Sequence, residues 1–593
     1  MAKPKLSPVE AEKLKIIMRD PVLWAKAFIV AMNPETKKYG PWIARDYQAE
    51  ILRNRDVRKV YRMGRRLGKC LPGWVKILDP ETGELKTVGE LYESGLNASV
   101  VSMNRSYKLI EKQNCPIICN GEKPVYRVTL KNGKTIDATD NHPLFTVDGW
   151  TEIKDLRVGD YIATPSILPF FGNVRLDDNV VKLVAYMIGD GNCKNGNLRF
   201  SQEDNKQLAE MKEIVTHFEC KLKHFDSNDN PYDYSIVMDK EHRTRYEKSG
   251  VRKVLEYFGV YGKGADDKVV PPEFFAICKE QVAMFLSRLF STDGWATCDD
   301  NKGRPRLEIG YCSNSSELVY GISHLLLRFG IRTTVRQKTD RAWELGIYDR
   351  RSVLLFAKEI GIFGKEEALL SVCSMAETMN EISTFMPIEI NAEIQEKIIR
   401  QGTSKADIVR AIGMNPREEK IRACYRLQDW KAKLIAEQLG MTDLANLCGG
   451  DIEWQEIKSI ESIGTHVTYD LTVPDTHNFV ANDIIVHNSE CMIVDALWQV
   501  CTHKNYRVLF ITPYENQVEL VFRRMREIIA ESPLVKKEVV RIKSSPYTVE
   551  FSNGSVILGF TTGAASGSGA ASVRGQRADW LFLDELDKAI LFN

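Results

Sequence analysis

Gly64-Arg65-Arg66-Leu67-Gly68-Lys69 reads as a phosphate-binding loop that breaks off one residue early. Such a loop needs Ser or Thr directly after its Lys, because that hydroxyl holds the Mg²⁺ of a bound nucleotide. Cys70 stands there instead, and no helix with apolar periodicity follows it. The missing hydroxyl occurs far downstream, in Val486-His487-Asn488-Ser489-Glu490-Cys491-Met492. Joining Lys69 to Ser489 restores a glycine loop that opens directly into an amphipathic helix, with Met492, Ile493, Ala496, Leu497 and Val500 on one face. The sequence therefore reads as one protein interrupted by another, and the insert from Cys70 to Asn488 is 419 residues long.

A chain of 593 residues is too long for one core and implies about three or four domains. Hydrophobic content of 44% and charged content of 27% are ordinary for globular proteins, and a net charge of +1 gives no whole-chain argument for nucleic-acid binding. The 13 cysteines include no C-x-x-C pair, which argues against a zinc module or a secreted disulfide scaffold and predicts a reducing, cytoplasmic setting. The N-terminus lacks the apolar core of a signal peptide, and no apolar run approaches the length of a membrane span.

In the first flank, Ser7 and Pro8 open a predicted helix, and Lys59-Val60-Tyr61-Arg62-Met63 is an extended run entering the glycine loop. In the second, Arg507–Pro513 reads as a buried parallel strand, residues 517–531 as a helix, and Tyr547–Phe551 with Ser555–Phe560 as a hairpin turned at Asn553-Gly554. Trp580-Leu581-Phe582-Leu583 is an apolar strand ending in Asp584 and Glu585, positions suited to orienting Mg²⁺ and activating water. Together with Arg45-Asp46-Tyr47-Gln48 and Ser572-Val573-Arg574-Gly575, this ordering resembles the ATPase domain of the phage terminase large subunit. The resemblance covers 174 residues and departs from the general loop pattern at Met63. It implies ATP as ligand, with Gln48 at the adenine, Gly64, Gly68 and Lys69 at the phosphates, Ser489 and Asp584 on Mg²⁺, and Glu585 as catalytic base. It further implies double-stranded genomic DNA, a terminase small subunit and a portal as partners, in the cytoplasm of a phage-infected or prophage-carrying cell. A coupling motif and a nuclease domain would be expected beyond Glu585, after which the chain has eight residues.

The ends of the insert carry their own chemistry. Cys70 can attack the Lys69 carbonyl and convert an amide into a thioester, from which the Ser489 hydroxyl takes the acyl group. Asn488 can then cyclise through its side-chain nitrogen and release Ser489, with His487 as proton donor to the leaving group. Thr139-Asp140-Asn141-His142 supplies a histidine that can polarise the first scissile amide. Asp470 can link the first nucleophile to the later steps, and His477 can support the cyclisation. Cys70-Leu71-Pro72-Gly73, Thr139–His142 and Tyr469–Asn488 resemble the ordered blocks of an intein, with Trp74 departing from the frequent Gly-Asp-Thr opening. The resemblance implies an all-β Hint splicing domain assembled from residues 70–168 and 452–488, acting without a cofactor. Turns at Asp79-Pro80, Asn132-Gly133 and Asp148-Gly149 agree with that fold.

Between these ends, Leu183–Gly191 and Leu286–Gly294 repeat one helical pattern, with Asp190 and Asp293 103 residues apart. Small residues at Ala185, Gly189, Ser287 and Ser291 predict two closely packed helices ending in adjacent carboxylates, a pair able to hold Mg²⁺ for phosphodiester hydrolysis. The repeat resembles the double-motif, single-chain LAGLIDADG homing endonucleases, an α+β fold acting on double-stranded DNA. By that resemblance Lys268 would stabilise charge at the cleaved phosphate, while Arg288 occupies a place often held by Gly. Arg199, Arg304, Arg306, Arg332, Arg336 and Lys338 read either as basic positions on strands tracking a duplex or as a solvated strand face. Thr403–Gly413 reads like half of a helix-turn-helix.

The expected organisation is a multidomain chain: residues 1–69 and 489–593 as a split α/β P-loop ATPase, 70–168 and 452–488 as the splicing domain, 169–375 as the endonuclease, and 376–451 as a helical extension that either contacts DNA or simply packs. Two alternatives are an intact ATPase with a non-splicing insertion and a splicing element whose endonuclease has decayed.

Overall fold

The computed structural model describes residues 15, 17–32, 39–41, 70–104, 106–115, 117–147, 149–194, 198–225, 231–239, 248–300, 305–379, 385–416, 421, 426–471, 473, 476, 478–487, 492–512, 515–544, 547–561 and 577–583. The chain divides into two compact units, residues 70–147 with 152–487, and residues 1–69 with 148–151 and 488–593. Of the expected site residues, Gln48, Gly64, Gly68, Lys69, His477, Asn488, Ser489, Asp584 and Glu585 lie outside the described residues, as does Arg304. For His487 only the backbone is described.

The larger unit draws one domain from both of its ends. The N-terminal stretch supplies β1 (Leu71–Pro72), β2 (Ile117–Leu130), β3 (Thr135–Ala138), β4 (Pro143–Thr146) and β5 (Tyr161–Pro165). The C-terminal stretch supplies β6 (Ile452–Leu471), β7 (Asn478–Ala481) and β8 (Ile484–His487). One sheet runs in the order β5-β6-β2-β3, with β1 also paired to β6. β6 and β2 form a long antiparallel ribbon broken by three register shifts, one of them at Gly464 with φ 94°. Such bulges increase the local twist and let one long strand serve a curved sheet. Val128, Leu130, Ile136, Leu144, Ile457, Phe479 and Val486 share one buried core. Neither end of the insert can bury its apolar face without the other. A helix, Val88–Glu93, interrupts the strands that the sequence suggested for this region. Its six residues are too few to show periodicity, but the Thr87–Glu90 capping box that starts it is in the sequence.

The middle of the unit is a duplicated α+β arrangement. It contains α1 (Asp178–Gly189), α2 (Asn205–His217), α3 (Lys279–Asp293), α4 (Ser316–Arg328), α5 (Arg350–Glu359) and α6 (Glu366–Thr378). α1 and α3 are each followed by a four-stranded antiparallel sheet. One runs Gly191–Asn192, Arg199–Ser201, Asp233–Met238, Cys220–His224 in space, and the other runs Gly294–Asp300, Pro305–Ser313, Trp343–Ile347, Thr334–Gln337. The two sheets share one strand order. α6 carries Val372 and Ala376 into the same core, so this region runs past the boundary expected at residue 375. α7 (Ile388–Gln401), α8 (Lys405–Ala411), α9 (Asp429–Gln438) and α10 (Thr442–Cys448) follow, with α7 and α8 both packed on α9.

The smaller unit has a five-stranded sheet in which Arg507–Thr512 pairs in parallel with Val556–Thr561 on one side and Trp580–Leu583 on the other. The hairpin expected at Asn553-Gly554 is present, with Gly554 at φ 83°. Helices Pro21–Phe28, Met492–Thr502 and Glu515–Glu531 cover it, burying Trp24, Leu497 and Phe522. Among the described residues no helix is long and apolar enough to cross a membrane.

Candidate functional site

Cys70 precedes β1, whose Leu71 lies opposite Tyr469 on β6, the residue before Asp470. The Cys70 side chain is fully buried. Its amide donates to Thr139 Oγ1 at 3.1 Å, and the Thr139 amide donates back to the Cys70 carbonyl at 3.1 Å. Thr139 therefore touches both the nitrogen and the carbonyl of Cys70. The buried His142 follows one turn later, its amide donating to the Thr139 carbonyl at 2.9 Å. Asp470 is also buried, and its charge bears on the Cys70 sulfur. Burial, then Asp470, pushes the Cys70 thiol up, while Lys123 and Asn120 oppose that shift. Lys123 Nζ and Asn120 Nδ2 each lie 3.1 Å from the sulfur. Sequence reasoning missed both, because they arrive across the sheet from β2 and belong to no motif.

The other end of the insert is delivered to the same region. β8 pairs with β7, and Val486 lies opposite Leu144, two residues beyond His142. The hairpin between β7 and β8 turns at Asn482 and Asp483, with φ 47° and 59°, the left-handed pair that a two-residue hairpin requires. Asn482 Oδ1 accepts from the Lys76 amide at 2.8 Å. Asp483 accepts from His324 Nδ1 at 2.8 Å, and His324 Nε2 accepts from Arg328 Nη2 at 3.1 Å. Arg328, fully buried on α4, also donates to the carbonyls of Phe275 at 2.6 Å and Gly83 at 2.8 Å. An arginine only donates, so His324 Nε2 is bare and Nδ1 carries the proton to Asp483. Burial keeps this imidazole neutral by pushing its pKa down. Burial opposes the charge on Asp483, but His324 overrides it and holds the carboxyl at about 2.

A histidine depressed in the folded state refuses a proton that the unfolded chain accepts. This seam is therefore at full strength above a pH of about 6.5 and weakens as pH falls below it. Arg328→Leu strips donors from two buried carbonyls and from His324. The excised insert is expected to lose about 3–5 kcal/mol, read as a lower urea midpoint at pH 7.5.

The second constellation lies at the ends of α1 and α3, which pack against each other. A Cβ at Gly189 would fall 2.0 Å from Thr292 Oγ1, so only glycine permits this approach. Asp190 caps α1 and Asp293 ends α3. Burial, then repulsion from Asp293, raises Asp190 to about 7, and burial raises Asp293 as well. Lys268 Nζ donates to the carbonyls of Gly189 at 2.8 Å and Gly191 at 3.3 Å. Lys365 Nζ does the same for Thr292 at 2.9 Å and Gly294 at 2.6 Å. Each helix thus ends in a carboxylate backed by a lysine on its last carbonyls, where a cation offsets the helix dipole.

Lys365 was not among the expected residues. Its signal was the repeat Gly259-Val260-Tyr261-Gly262-Lys263 and Gly361-Ile362-Phe363-Gly364-Lys365, 102 residues apart. In the first copy Lys268, not Lys263, takes the capping place. Arg288 does not crowd the helix pair, because its guanidinium leaves sideways to Glu210 at 2.8 and 3.0 Å. An open cleft of about 540 Å³ adjoins Asp190, lined also by Gln202, Gln207, Thr292 and Lys365 among others.

This donor set fits a hard divalent cation. Two buried carboxylates, raised chiefly by burial, would be relieved by one. Among the described residues no cluster of three or more His, Cys, Asp or Glu side chains forms a closed cage. Mg²⁺ ordinarily takes only one or two carboxylates and completes its shell with water and phosphate.

Several basic residues read as tracking a duplex are engaged elsewhere. Arg332 pairs with Glu453 of β6 at 2.7 Å, and Arg336 and Lys338 both pair with the buried Glu344. Arg199 stacks on the Phe225 ring at 3.8 Å. The stretch Thr403–Gly413 forms α8, joined to α7 through Gly402 at φ 62°.

Known proteins resemble part of the chain. The replicative DNA helicase DnaB of Rhodothermus marinus is 28% identical over 452 residues, covering 72% of this chain and 47% of the helicase. The chain spans about half the length of the curated relatives it matches. The crystal structure of the Ssp DnaB mini-intein variant M86 covers 72% of this chain and 98% of its own, at 14% identity and a TM-score of 0.23. That of I-DmoI in complex with DNA and Mn covers 31% and 96%, at 16% identity and a TM-score of 0.21. A family model described as the intein splicing domain matches residues 77–488, nearly the whole span between Cys70 and Asn488 and well over half of the chain. The chain belongs to the intein splicing family.

Proposed function

We propose that this chain is a self-splicing precursor in which Cys70, Asn488 and Ser489 excise the insert and join Lys69 to Ser489. The observation that carries the reading is the reciprocal pairing of Cys70 with Thr139, which holds the scissile amide beside a buried sulfur on which Asp470 bears, with the buried His142 one turn beyond Thr139. Cys70 takes the Lys69 acyl group as a thioester, and Ser489 then accepts it as an ester. Asn488 cyclises with His487 and His477 assisting, and the freed ester rearranges to an amide. Mass spectrometry of the expressed chain tests this. Splicing yields a free 419-residue product and a joined 174-residue product. An unchanged 67.5 kDa species would sink the proposal.

We further propose that the excised insert is a double-motif LAGLIDADG homing endonuclease, with Asp190 and Asp293 as Mg²⁺ ligands and Lys268 beside the cleaved phosphate. The pairing of two raised carboxylates at one helix junction supports it. Bound Mg²⁺ would supply charge neutralisation at the phosphodiester and an activated water. The residues of this chain position it and hold the duplex in the adjoining cleft. The alternative is the same splicing element with a decayed endonuclease.

For the flanks we propose a terminase-like DNA-packaging ATPase, complete only after ligation. Gln48 would sit at the adenine, Gly64, Gly68 and Lys69 at the phosphates of ATP, Ser489 and Asp584 on Mg²⁺, and Glu585 at the attacking water. The parallel strand Trp580–Leu583, running directly into Asp584, supports this reading. Double-stranded DNA, a terminase small subunit and a portal are its proposed partners, in the cytoplasm of a phage-infected or prophage-carrying cell. Relatives named replicative DNA helicase favour a DnaB-type host as a second reading. The share of the chain they match is close to the share that the insert occupies, so that likeness bears on the insert more than on the flanks.

A further inference from the structure

Cys70 is the most deeply buried member of its constellation, and burial works against its chemistry. A thiol must lose its proton to attack a carbonyl, and an apolar setting disfavours the anion. Asp470 adds a second opposing charge. Two groups of β2 answer both. Lys123 Nζ and Asn120 Nδ2 each approach the sulfur to 3.1 Å. An ammonium has no acceptor, so Lys123 can only donate to the sulfur. A sulfur met by two N–H donors is set up to carry negative charge. The placement depends on the fold, because Lys123 lies opposite His466 in the β2–β6 ribbon, between the register shifts at residues 462–464 and 467–469. Among the described residues, Asp470 on β6 and Lys123 on β2 are the charged groups that bear on Cys70, with Thr139 on its backbone side.

We propose that Lys123 and Asn120 are a catalytic cradle for the Cys70 thiolate in the first acyl transfer. This rests on the splicing reading above. The thiol proton leaves Sγ as the ammonium and the amide stabilise the anion. The Sγ–carbon bond to the Lys69 carbonyl forms, the carbon–nitrogen bond to Cys70 breaks, and the freed amine takes up the proton. Electrons and protons balance, and no further reactant enters.

The test uses the full precursor carrying Asn488→Ala and Ser489→Ala, in which the acyl group can go no further than the N-terminal thioester. Cleavage by dithiothreitol is followed from pH 6 to 10. Lys123→Met is expected to move the midpoint of the rate profile up by about one pH unit, slowing cleavage about tenfold at pH 7, with the gap narrowing towards pH 10. Lys123→Arg should restore most of the rate. Asn120→Asp, which keeps Lys123 and adds a negative charge at the sulfur, should shift the profile the same way. A role in packing alone would lower the rate equally at every pH. Profiles that superimpose on the parent's for Lys123→Met, or for Asn120→Asp if the first variant does not fold, overturn the cradle. Cys70→Ala separates the two ideas. If cleavage survives it, the splicing assignment itself falls; if cleavage is lost while the other variants match the parent, only the cradle does.

Discussion

Asn488→Ala is expected to abolish ligation of the flanks, leaving the 67.5 kDa chain and products of N-terminal cleavage alone. In the proposed mechanism the side-chain amide of Asn488 severs the second junction, and alanine offers no substitute, so the joined product should fall by about three orders of magnitude or more. The first acyl transfer should persist, because its parts belong to a different set of strands. Thr139 and Cys70 hold each other through β1 and β3, and neither depends on residue 488. The C-terminal junction is instead presented by β8, whose register is fixed from two sides. Asn478 opposite His487 is buried, with Oδ1 accepting from the Met103 amide at 2.7 Å and Nδ2 donating to the Met103 carbonyl at 2.9 Å. Val486 is held opposite Leu144. Electrophoresis and mass spectrometry of the variant read both steps at once. Ligated product from Asn488→Ala would refute the assignment of this residue.

The ends of the insert were legible in the sequence because their chemistry is local. A thiol at one junction, His-Asn at the other and a hydroxyl beyond it can be read from a few adjacent residues, and the two compact units divide within one residue of those junctions. The two Asp-Gly helices were legible for the same reason, as a repeat of one short pattern. What could not be read is what a sheet or a helix pair brings in from elsewhere. Lys123 and Asn120 reach the sulfur from another strand, and no spacing predicts which face of a bulged ribbon they take. Lys365 is separated from Asp293 by a whole sheet and two helices. Arg332 and Arg336 looked like a cationic strand face, yet each pairs with a buried or nearly buried glutamate that only the fold brings opposite it.

The seam through His324 shows the same limit at the level of domains. α4 belongs to the duplicated middle, and Asp483 to the last hairpin of the splicing domain, 159 residues apart. The imidazole links the Arg328 guanidinium to the Asp483 carboxylate by two hydrogen bonds, so the hairpin that positions the C-terminal junction is braced by a helix of the neighbouring domain. Deleting the middle would remove that brace together with the carbonyl-bound guanidinium. A compact splicing domain without it would have to satisfy Asp483 some other way.

The second large effect is expected at the carboxylate pair. Asp190→Asn with Asp293→Asn should cut Mg²⁺-dependent cleavage of a DNA carrying the joined codons for Lys69 and Ser489 by about a thousandfold or more. The amides keep the volume and hydrogen-bonding shape of the carboxyls but remove both negative charges that would hold the cation. Folding should survive, and the direction follows from the shifts. Asp190 raised to about 7 is a carboxyl that the folded state prefers protonated, so the wild-type helix junction loses stability as pH climbs from about 4 through 7. A neutral side chain is free of that loss, so the double variant should melt no lower than the parent at pH 8. Binding to the same DNA without metal should be retained or stronger, since two repelling charges at the cleft are gone. These readouts separate the explanations. Lost cutting with retained melting and binding places the carboxylates at the chemistry. Undiminished cutting would remove them from it, and a parent that binds but does not cut would identify an endonuclease that has kept its fold and lost its activity.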